Sequence, residues 1–478
     1  MSKTTSKEAN QDQNKTTFLK RIQHFFYTAD GAEIFVKGSS LALMLGAIYL
    51  VYVLHEDFTQ FNTEQRSSLL GRSFLLLALS LLVFKAFFFL YTLYHYIKYK
   101  AIKSVSDTEL PTTTVIVPAY NEGKQVYDTL ISLSKSDFPK EKLQIIAIND
   151  GSKDDTWEWM QKAKQVLGDQ VEIYQQPKNM GKRHALYRGF HLGTGDVFVT
   201  VDSDSIVDQN TLRNLVSPFI VDNKCGAVAG NIRVLNNKKA LLPKMLDVSF
   251  VLSFEFVRSA ESNVNTVLCT PGALAAYKRE VIFNCKEEWI NQKFMGKPSD
   301  IGEDQALTNM VIKQGFSVLF QSNAFCYTNV PERYKNLYKM FIRWDRSNVR
   351  EVLEMSKFVF TNFRAHSKGA ARLLFTSQVL KIVMSYPLFV FMLFFVVTEP
   401  LLFIGSSLVS ILILSSFSVI FYSRKYNFAE SFWAYSYSIF YTFGLFWITP
   451  YSIATVSKGG WLTRGLDAKK QRRFKLMP

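Results

Sequence analysis

Cysteine and histidine are scarce in this chain of 478 residues, which has four Cys and six His. No two cysteines form a Cys-x-x-Cys pair, and the histidines lack the spacing of metal ligands, so a zinc site is not expected. All four cysteines lie in the middle of the chain and are expected to be reduced thiols in the cytosol. They are Cys225, Cys269, Cys285 and Cys326.

Acidic residues are also in the minority, with 40 Asp and Glu against 56 Lys and Arg, which gives a net charge of +16. Nucleic-acid binding is one interpretation of such a balance. However, no module that combines aromatic and basic residues for nucleic acid is visible, and many bases flank apolar segments. That distribution is typical of a membrane protein that follows the positive-inside rule. The expected partner is therefore the lipid bilayer and not a nucleic acid.

No cleavable signal peptide is expected, and no internal repeat or low-complexity tract is visible. Apolar residues make up 48% of the chain and cluster at its two ends. Runs at about 38–54, 73–97, 373–398 and 401–422 predict four full spans, and a broken stretch at 428–456 predicts a re-entrant segment that bends at Pro450. The predicted parts are a disordered N-terminus (1–16), an interfacial helix with two transmembrane helices (17–100), a cytosolic domain (110–332), interfacial amphipathic helices (333–370), transmembrane helices with the re-entrant segment (371–456) and a basic cytosolic tail (457–478).

The charges beside the first two runs orient the chain. The loop between the runs carries Glu56 and Asp57 and few bases, so it is expected outside. Lys98 and Lys100 follow the second run and predict a return to the cytosol. We therefore expect an integral protein of the plasma or inner membrane whose middle domain is cytosolic.

The middle domain alternates predicted strands and helices. Strands are expected at 113–118, 143–150, 171–174 and 196–201, with helices starting near Gly123 and covering about 154–167 and 182–193. This alternation predicts an α/β domain with a mostly parallel sheet, whose ligands bind at the carboxyl ends of the strands.

Two carboxylates one residue apart follow the strand at 196–201. Side chains at i and i+2 of a strand point the same way, so Asp202 and Asp204 are expected to project together. Such a pair suits Mg²⁺ or Mn²⁺ carried by a diphosphate. On its own, Asp-x-Asp is equally compatible with an ordinary loop.

Four further polar elements accompany this pair in a fixed order. Tyr120 offers a face for a base, and Asp150 offers an acceptor for a uracil N–H or a ribose. Lys182 and Arg183 offer donors to phosphate. The five elements are Val117–Glu122, Asn149–Ser152, Asn179–Arg183, Asp202–Asp204 and Gly302–Gln305.

The order and spacing of these elements resemble family 2 glycosyltransferases over about residues 112–350. The resemblance implies a nucleotide-diphospho-sugar transferase fold of the GT-A type. Three flanking elements resemble those of hyaluronan, chitin and chitooligosaccharide synthases: the priming loop at Cys269–Gly272, the Arg-Trp element at Arg343–Glu351 and the gating motif at Trp461–Arg464. The sequence departs from the family at Met340, where Gln is usual, and at Leu462, where Gly is usual.

The resemblance also implies a role for each matching residue. Asp304 would be the general base, with Arg343 and Trp344 completing the catalytic group. The metal would lie at Asp202 and Asp204. The acceptor would contact Cys269, Pro271, Gly272 and Trp344. The nucleotide sugar would contact Tyr120, Glu122, Asp150, Lys182, Arg183, Asp202, Arg343, Trp461 and Arg464.

Several of these residues also have plainer interpretations. Asp304 could be a solvated acid at a helix start, where it would favour the helix dipole. Trp344, and the pair of Trp461 and Arg464, could be anchors at a membrane interface. Lys182 and Arg183 could form a solvated face.

We therefore expect a membrane-embedded, processive, inverting β-glycosyltransferase. It would polymerise N-acetylglucosamine from a UDP-sugar, alone or with a second sugar, into a hyaluronan- or chitin-like chain and secrete it. One alternative is a non-processive enzyme that glycosylates a lipid carrier. The other is a transporter or channel with an inactive sugar-binding domain, against which the three carboxylates Asp202, Asp204 and Asp304 argue.

Overall fold

The computed structural model describes residues 29–459. They form two compact units, one made of residues 29–75 and 392–445 and the other of residues 76–391 and 446–459. The interfacial helix expected at 17–28 and the gating motif at Trp461–Arg464 lie outside the described residues.

A mixed eight-stranded sheet is the centre of the second unit. Its order is β3-β2-β1-β4-β7-β6-β10-β5, and β8 and β9 form a separate hairpin. Strands β1, β2, β3 and β4 are parallel to one another, and β6 is parallel to β10. Strand β7 is antiparallel to its neighbours β4 and β6, and β5 is antiparallel to β10. The strands are β1 (Thr113–Ala119), β2 (Leu143–Asn149), β3 (Val171–Gln175), β4 (Val197–Val201), β5 (Ser205–Val207), β6 (Cys225–Val234), β7 (Leu274–Lys278), β8 (Lys293–Phe294), β9 (Lys297–Pro298) and β10 (Ser317–Thr328).

Apolar residues explain why these segments are strands. Every residue of β1 and β4 is buried, as expected for central strands of a sheet that is covered on both faces. Aromatic side chains fill the layer between sheet and helices, where Phe190, Phe198 and Trp289 pack together with ring centroids 5.3 and 5.9 Å apart.

Helices cover the sheet and extend beyond it. Those of the soluble part are α4 (Gln125–Ser134), α5 (Thr156–Leu167), α6 (Lys182–Leu192), α7 (Thr211–Val216), α8 (Pro218–Val221), α9 (Leu241–Val251), α10 (Arg258–Asn263), α11 (Arg279–Ile290), α12 (Glu303–Lys313) and α13 (Tyr334–Ser356). A π-helical segment, Leu252–Val257, joins α9 to α10.

The apolar ends of the chain are helical. Their helices are α1 (Ala29–Val53), α2 (His55–Ser67), α3 (Leu69–Lys98), α14 (Lys368–Thr398), α15 (Pro400–Lys425), α16 (Phe428–Ser431), α17 (Trp433–Gly444) and α18 (Ile448–Ala454). Four of the described helices, α1, α3, α14 and α15, are long and apolar enough to cross a membrane.

The last apolar stretch is broken, but not where the sequence predicts. The helix ends at Gly444 and resumes at Ile448, whereas Pro450 lies inside α18. The third position of a helix tolerates proline because the N–H of the first turn has no intrahelical partner to lose.

Candidate active site

One edge of the sheet gathers the predicted site residues. The carboxyl ends of β1, β2 and β4 meet there and lead into Tyr120, Asp150 and Asp202. Strand β7 is antiparallel to β4, with Leu274 opposite Val201, so the loop that precedes β7 reaches the same edge. The predicted priming loop is thereby placed beside the Asp-x-Asp pair.

Asp150 organises the loop that leads to Lys182. It is buried, and its carboxylate accepts hydrogen bonds from the Gln176 side chain at 2.9 Å and from the backbone N–H groups of Met180 and Gly181 at 2.9 and 2.8 Å. Gly151 has φ +66°, and a Cβ there would lie 2.6 Å from the backbone of this loop. The end of β2 therefore fixes the start of α6.

Lys182 is the centre of an ion-pair cluster in which its own side chain and that of Glu303 are largely buried and that of Asp202 is partly exposed. Its ammonium lies 2.5 Å from Asp202 Oδ1 and 3.0 Å from Glu303 Oε1. Burial alone would lower the pKa of Lys182, but the negative charges of Asp202 and Glu303 outweigh it and raise that pKa. Lys182 therefore stays charged, and its ion pairs connect Asp202, which follows β4, with Glu303, which begins α12.

Asp304 lies in the first turn of α12, next to Glu303. Its Oδ2 accepts the backbone N–H of Gly272 at 3.0 Å, and its Oδ1 accepts the N–H of Gln305 at 2.8 Å. Burial raises the pKa of Asp304, and the charge of Glu303 raises it further. Burial would also raise the pKa of Glu303, but Lys182 lowers it to about 2. The two adjacent carboxyl groups thus have opposite shifts, which is typical of a site that separates a base from a fixed charge.

Arg343 and Trp344 lie on α13. The charge of Arg343 contributes to lowering the pKa of Glu303, which places its guanidinium near the cluster. Trp344 is 41% exposed and packs its ring against Phe341 and Phe250, with centroids 5.6 and 6.3 Å away. An aromatic face supported from behind and open in front suits a sugar ring.

Asp202 and Asp204 provide two carboxylates for a cation. Asp204 lies between β4 and β5, and the hydroxyl of Thr328, the last residue of β10, donates to its Oδ1 at 3.4 Å. Among residues 29–459, no three His, Cys, Asp or Glu side chains converge as a metal site. This donor set fits Mg²⁺ or Mn²⁺, which proteins commonly hold through one or two carboxylates together with substrate phosphates.

Known proteins resemble this domain in sequence. Residues 111–347 match the family described as glycosyltransferase like family 2. Residues 111–347 form a glycosyltransferase family 2 domain. It is 31% identical over 252 residues to an N-acetylglucosaminyltransferase of Rhizobium meliloti and 33% identical over 254 residues to a hyaluronan synthase of Streptococcus pyogenes. Each match covers 52% of this chain and 59% of the relative.

The fold is shared with a solved glycosyltransferase. A mannosyltransferase of Pyrobaculum calidifontis, in complex with GDP-Man and Mn²⁺, has a TM-score of 0.51 and 18% identity, and the match covers 84% of this chain and 99% of the other. The predicted GT-A-type α/β fold is confirmed.

Tyr120 and Glu122 lie in the first loop of the glycosyltransferase domain. Tyr120 is half-buried at the end of β1. The backbone N–H of Glu122 donates to the Thr156 hydroxyl at 2.9 Å, which fixes this loop against α5. Tyr120 thus lies beside the Asp150 loop, because the Asp150 N–H donates to the Ala119 carbonyl at 2.8 Å.

The priming loop is tied to α12. Thr270 Oγ1 and Thr308 Oγ1 lie 2.8 Å apart, and the Thr270 N–H donates to Thr308 Oγ1 at 3.0 Å. Pro271 follows, and the Gly272 N–H then reaches Asp304. Burial raises the pKa of the Cys269 thiol, so this cysteine lines the loop as an unreactive side chain.

Arg183 is not brought to the cluster. It is buried and donates to the Trp289 carbonyl and to Gln292 Oε1, facing α11 and the loop after it. Successive helix residues are about 100° apart, so Lys182 and Arg183 cannot face the same site. We therefore leave Arg183 out of the proposed phosphate contacts. Trp461 and Arg464 lie outside the described residues.

Two features of the candidate active site are not assigned a role by the sequence pattern. Glu303 is part of the Gly302–Gln305 element, and its position beside Asp304 is the only signal for it. The Thr270–Thr308 contact joins ordinary threonines from distant parts of the chain, and nothing in the sequence marks it.

Proposed function

We propose that this chain is a membrane-embedded inverting glycosyltransferase that uses a UDP-sugar and extends a glycan. The observation that carries the proposal is Asp304, a half-buried carboxyl that accepts the Gly272 N–H beside the cluster of Lys182, Asp202 and Glu303. An acid with a raised pKa beside a fixed charge suits a general base that works near neutral pH.

UDP-N-acetylglucosamine is the proposed donor. The names of the two relatives, an N-acetylglucosaminyltransferase and a hyaluronan synthase, support this sugar. Tyr120, Glu122 and Asp150 would hold the uridine side, and Lys182 and Arg343 would face the diphosphate. A divalent cation at Asp202 and Asp204 would neutralise the charge of that diphosphate. Trp461 and Arg464 remain predicted contacts of the nucleotide.

The chemistry is a single displacement at the anomeric carbon. Asp304 takes the proton of the acceptor hydroxyl while that oxygen forms the new bond. The bond between the sugar and UDP breaks on the opposite face, which inverts the configuration. The positive charges of Lys182 and Arg343 stabilise the departing diphosphate. Trp344 and the priming loop (Cys269, Pro271 and Gly272) would orient the acceptor sugar.

Asp304→Asn tests the assignment of the base. Removing a general base typically lowers kcat by about 10²- to 10⁴-fold. We expect sugar transfer to fall by that amount, while UDP binding measured by calorimetry is retained. Asp169→Asn, at an exposed position, is the control and should be fully active. Retention of full UDP release by Asp304→Asn would disprove the assignment.

The pH dependence provides a second check on the same residue. Asp304 must be deprotonated to act, and its pKa is raised. We therefore expect kcat/KM to fall on acidification with an apparent pKa above that of an ordinary aspartate. The acidic limb should disappear in Asp304→Asn, whose residual activity no longer depends on this group.

Product length separates processive synthesis from transfer to a lipid carrier. A processive enzyme makes long chains while most acceptor molecules remain unextended. Reaction of the purified chain with UDP-N-acetylglucosamine and Mg²⁺ or Mn²⁺, followed by sizing of the product, tests this. Single-sugar products attached to lipid would favour the lipid-carrier alternative. Delivery of long chains into the lumen of proteoliposomes would support secretion.

A further inference from the structure

A partly open cavity of about 180 Å³ lies behind the priming loop. Its walls come from the π-helical segment and α10, the priming loop, α12, α13 and the first turns of α14. An engineered protein cavity of about 150 Å³ holds a benzene ring. The volume therefore admits one six-membered ring.

The cavity begins beside the proposed base. Gln305, which follows Asp304 directly, and Cys269 of the priming loop both line it. Asn309, one turn further along α12, adds an amide. Leu268 and Phe375 add apolar side chains to the lining. A lining that combines amides with apolar faces suits a hydroxyl-bearing ring of the acceptor.

Arg258 presents a hydrogen-bond donor that the described residues leave unused. Its Nε donates to the Cys269 carbonyl at 3.2 Å, and its guanidinium lies 3.8 Å from the centre of the Phe254 ring. Its Nη1 is buried and has no hydrogen-bond partner within residues 29–459. Leaving a buried charged donor unsatisfied is costly, so a ligand oxygen at this position would be favourable.

Two carboxyl groups share the lining with this one guanidinium. Glu261 is buried one turn after Arg258, and Glu351 is buried on α13, where it accepts from Asn309 at 2.9 Å. Burial raises the pKa of Glu261 and of Glu351 to about 7 in each case. Near neutral pH both groups are partly ionised and offset the single guanidinium, so the lining has no surplus positive charge with which to receive a uronate.

We propose that this cavity is a subsite for one neutral sugar unit of the acceptor, that Arg258 is its specificity-determining residue, and that a uronate is rejected there. The inference rests on the proposed function. Each unit of a growing chain would pass through the subsite in turn. An alternating copolymer with a uronic acid could then not be extended, so the product would be a homopolymer of a neutral sugar such as N-acetylglucosamine.

Donor competition tests the product class. The purified full chain is incubated with radiolabelled UDP-N-acetylglucosamine, alone and with UDP-glucuronic acid. We expect UDP-N-acetylglucosamine alone to give polymer. In the reaction that also contains UDP-glucuronic acid, we expect no glucuronic acid in the polymer. An alternating polymer would overturn this inference while leaving the proposed glycosyltransferase function intact. Absence of incorporation from any UDP-sugar would overturn the proposed function and the inference with it.

Substitution of Arg258 tests the subsite itself. Loss of a hydrogen bond from a charged donor typically weakens binding about tenfold or more. We expect Arg258→Ala to raise the KM for an N-acetylglucosamine oligomer by about that factor, with the KM for UDP-N-acetylglucosamine unchanged. Arg258→Lys keeps the charge and loses the planar set of guanidinium donors. Its acceptor KM should therefore lie between those of the native chain and Arg258→Ala.

Arg279→Ala is the matched control, because Arg279 also donates to backbone carbonyls and lies over an aromatic ring, 4.7 Å from the centre of Phe283. It should leave the acceptor KM unchanged. UDP binding by calorimetry reports whether each variant is folded. An unchanged acceptor KM in a folded Arg258→Ala would overturn the assignment of Arg258.

Discussion

A hydrogen atom is the only side chain that fits at position 272 without moving a proposed catalytic group. A Cβ at Gly272 would lie 2.6 Å from Lys182 Nζ and 3.5 Å from Asp304 Oδ2. The same residue donates its N–H to Asp304. Glycine therefore lets the priming loop approach both the ammonium and the base.

Gly272→Ala should reduce catalysis more than stability. The added methyl group must displace Lys182 or the loop, and misplacement of catalytic groups by about 1 Å can cost about a hundredfold in rate. We expect a fall in kcat of that order with little change in thermal unfolding. The control is Gly369→Ala, because no atom lies within 4 Å of a Cβ there. Equal activity of the two variants would contradict the proposed close approach.

Local residue patterns identify the site only in part. The Asp202–Asp204 pair and Asp304 stand in short motifs and can be recognised without a structure. The pairing of Lys182 with Glu303 joins residues that are distant in the chain, and only the fold brings them to 3.0 Å. The inward direction of Arg183 depends on the packing of α6 against α11, which no local pattern contains.

At the scale of elements, α13 connects the proposed catalytic helix to the acceptor side. Arg343 and Trp344 lie in its middle, and Glu351 lies two turns later. Glu351 accepts from Asn309 of α12 at 2.9 Å and from Gln292 at 3.2 Å. The carboxyl group thereby fixes the helix with Trp344 to the helix with Asp304.

The Glu351 contact should make the stability of this helix pair depend on pH. Its pKa is raised from 4.5 to about 7 by burial, so the unfolded chain loses this proton at a lower pH than the folded chain. The free energy of unfolding is therefore expected to fall as pH rises from about 4.5 to 7, by on the order of 1–3 kcal/mol. Thermal unfolding in detergent at several pH values measures this.

Glu351→Gln should flatten that dependence, because the amide does not titrate. Some dependence should remain, since burial raises the pKa of Glu261 to about 7 as well. Glu354→Gln is the control on the same helix, where Glu354 pairs with exposed Lys357 at 2.7 Å. A Glu351→Gln curve parallel to that of the native chain would refute the role of this carboxyl group.

Sequence periodicity predicts most elements of the domain but not their arrangement. The strands β1 to β4 lie within two residues of their predicted positions because long apolar runs bounded by polar residues are local signals. The antiparallel insertion of β7 between β4 and β6 is not predicted, although it brings the priming loop to the active edge. Strand order depends on contacts between distant segments, which periodicity does not encode.

At the scale of the whole molecule, the distributions of charge and hydropathy together predict how the chain is oriented in a membrane. The described helices include four that could cross a membrane. The helix α2 between the first two carries Glu56 and Asp57 in its first turn, whereas Lys98 ends α3 just before the glycosyltransferase domain. The positive-inside rule then predicts that α2 is outside and the domain is in the cytosol.

Cysteine labelling in right-side-out membrane vesicles tests this orientation. The positions are Thr63, exposed on α2, and Asp169, exposed after α5. We expect Thr63→Cys to react with a membrane-impermeant maleimide in sealed vesicles. Asp169→Cys should react only after the vesicles are opened with detergent, because a cytosolic domain faces their lumen. The native chain gives the background, because Cys225, Cys285 and Cys326 are buried and Cys269 is partly exposed. Labelling of Asp169→Cys in sealed vesicles would place the domain outside and reverse the proposed direction of synthesis.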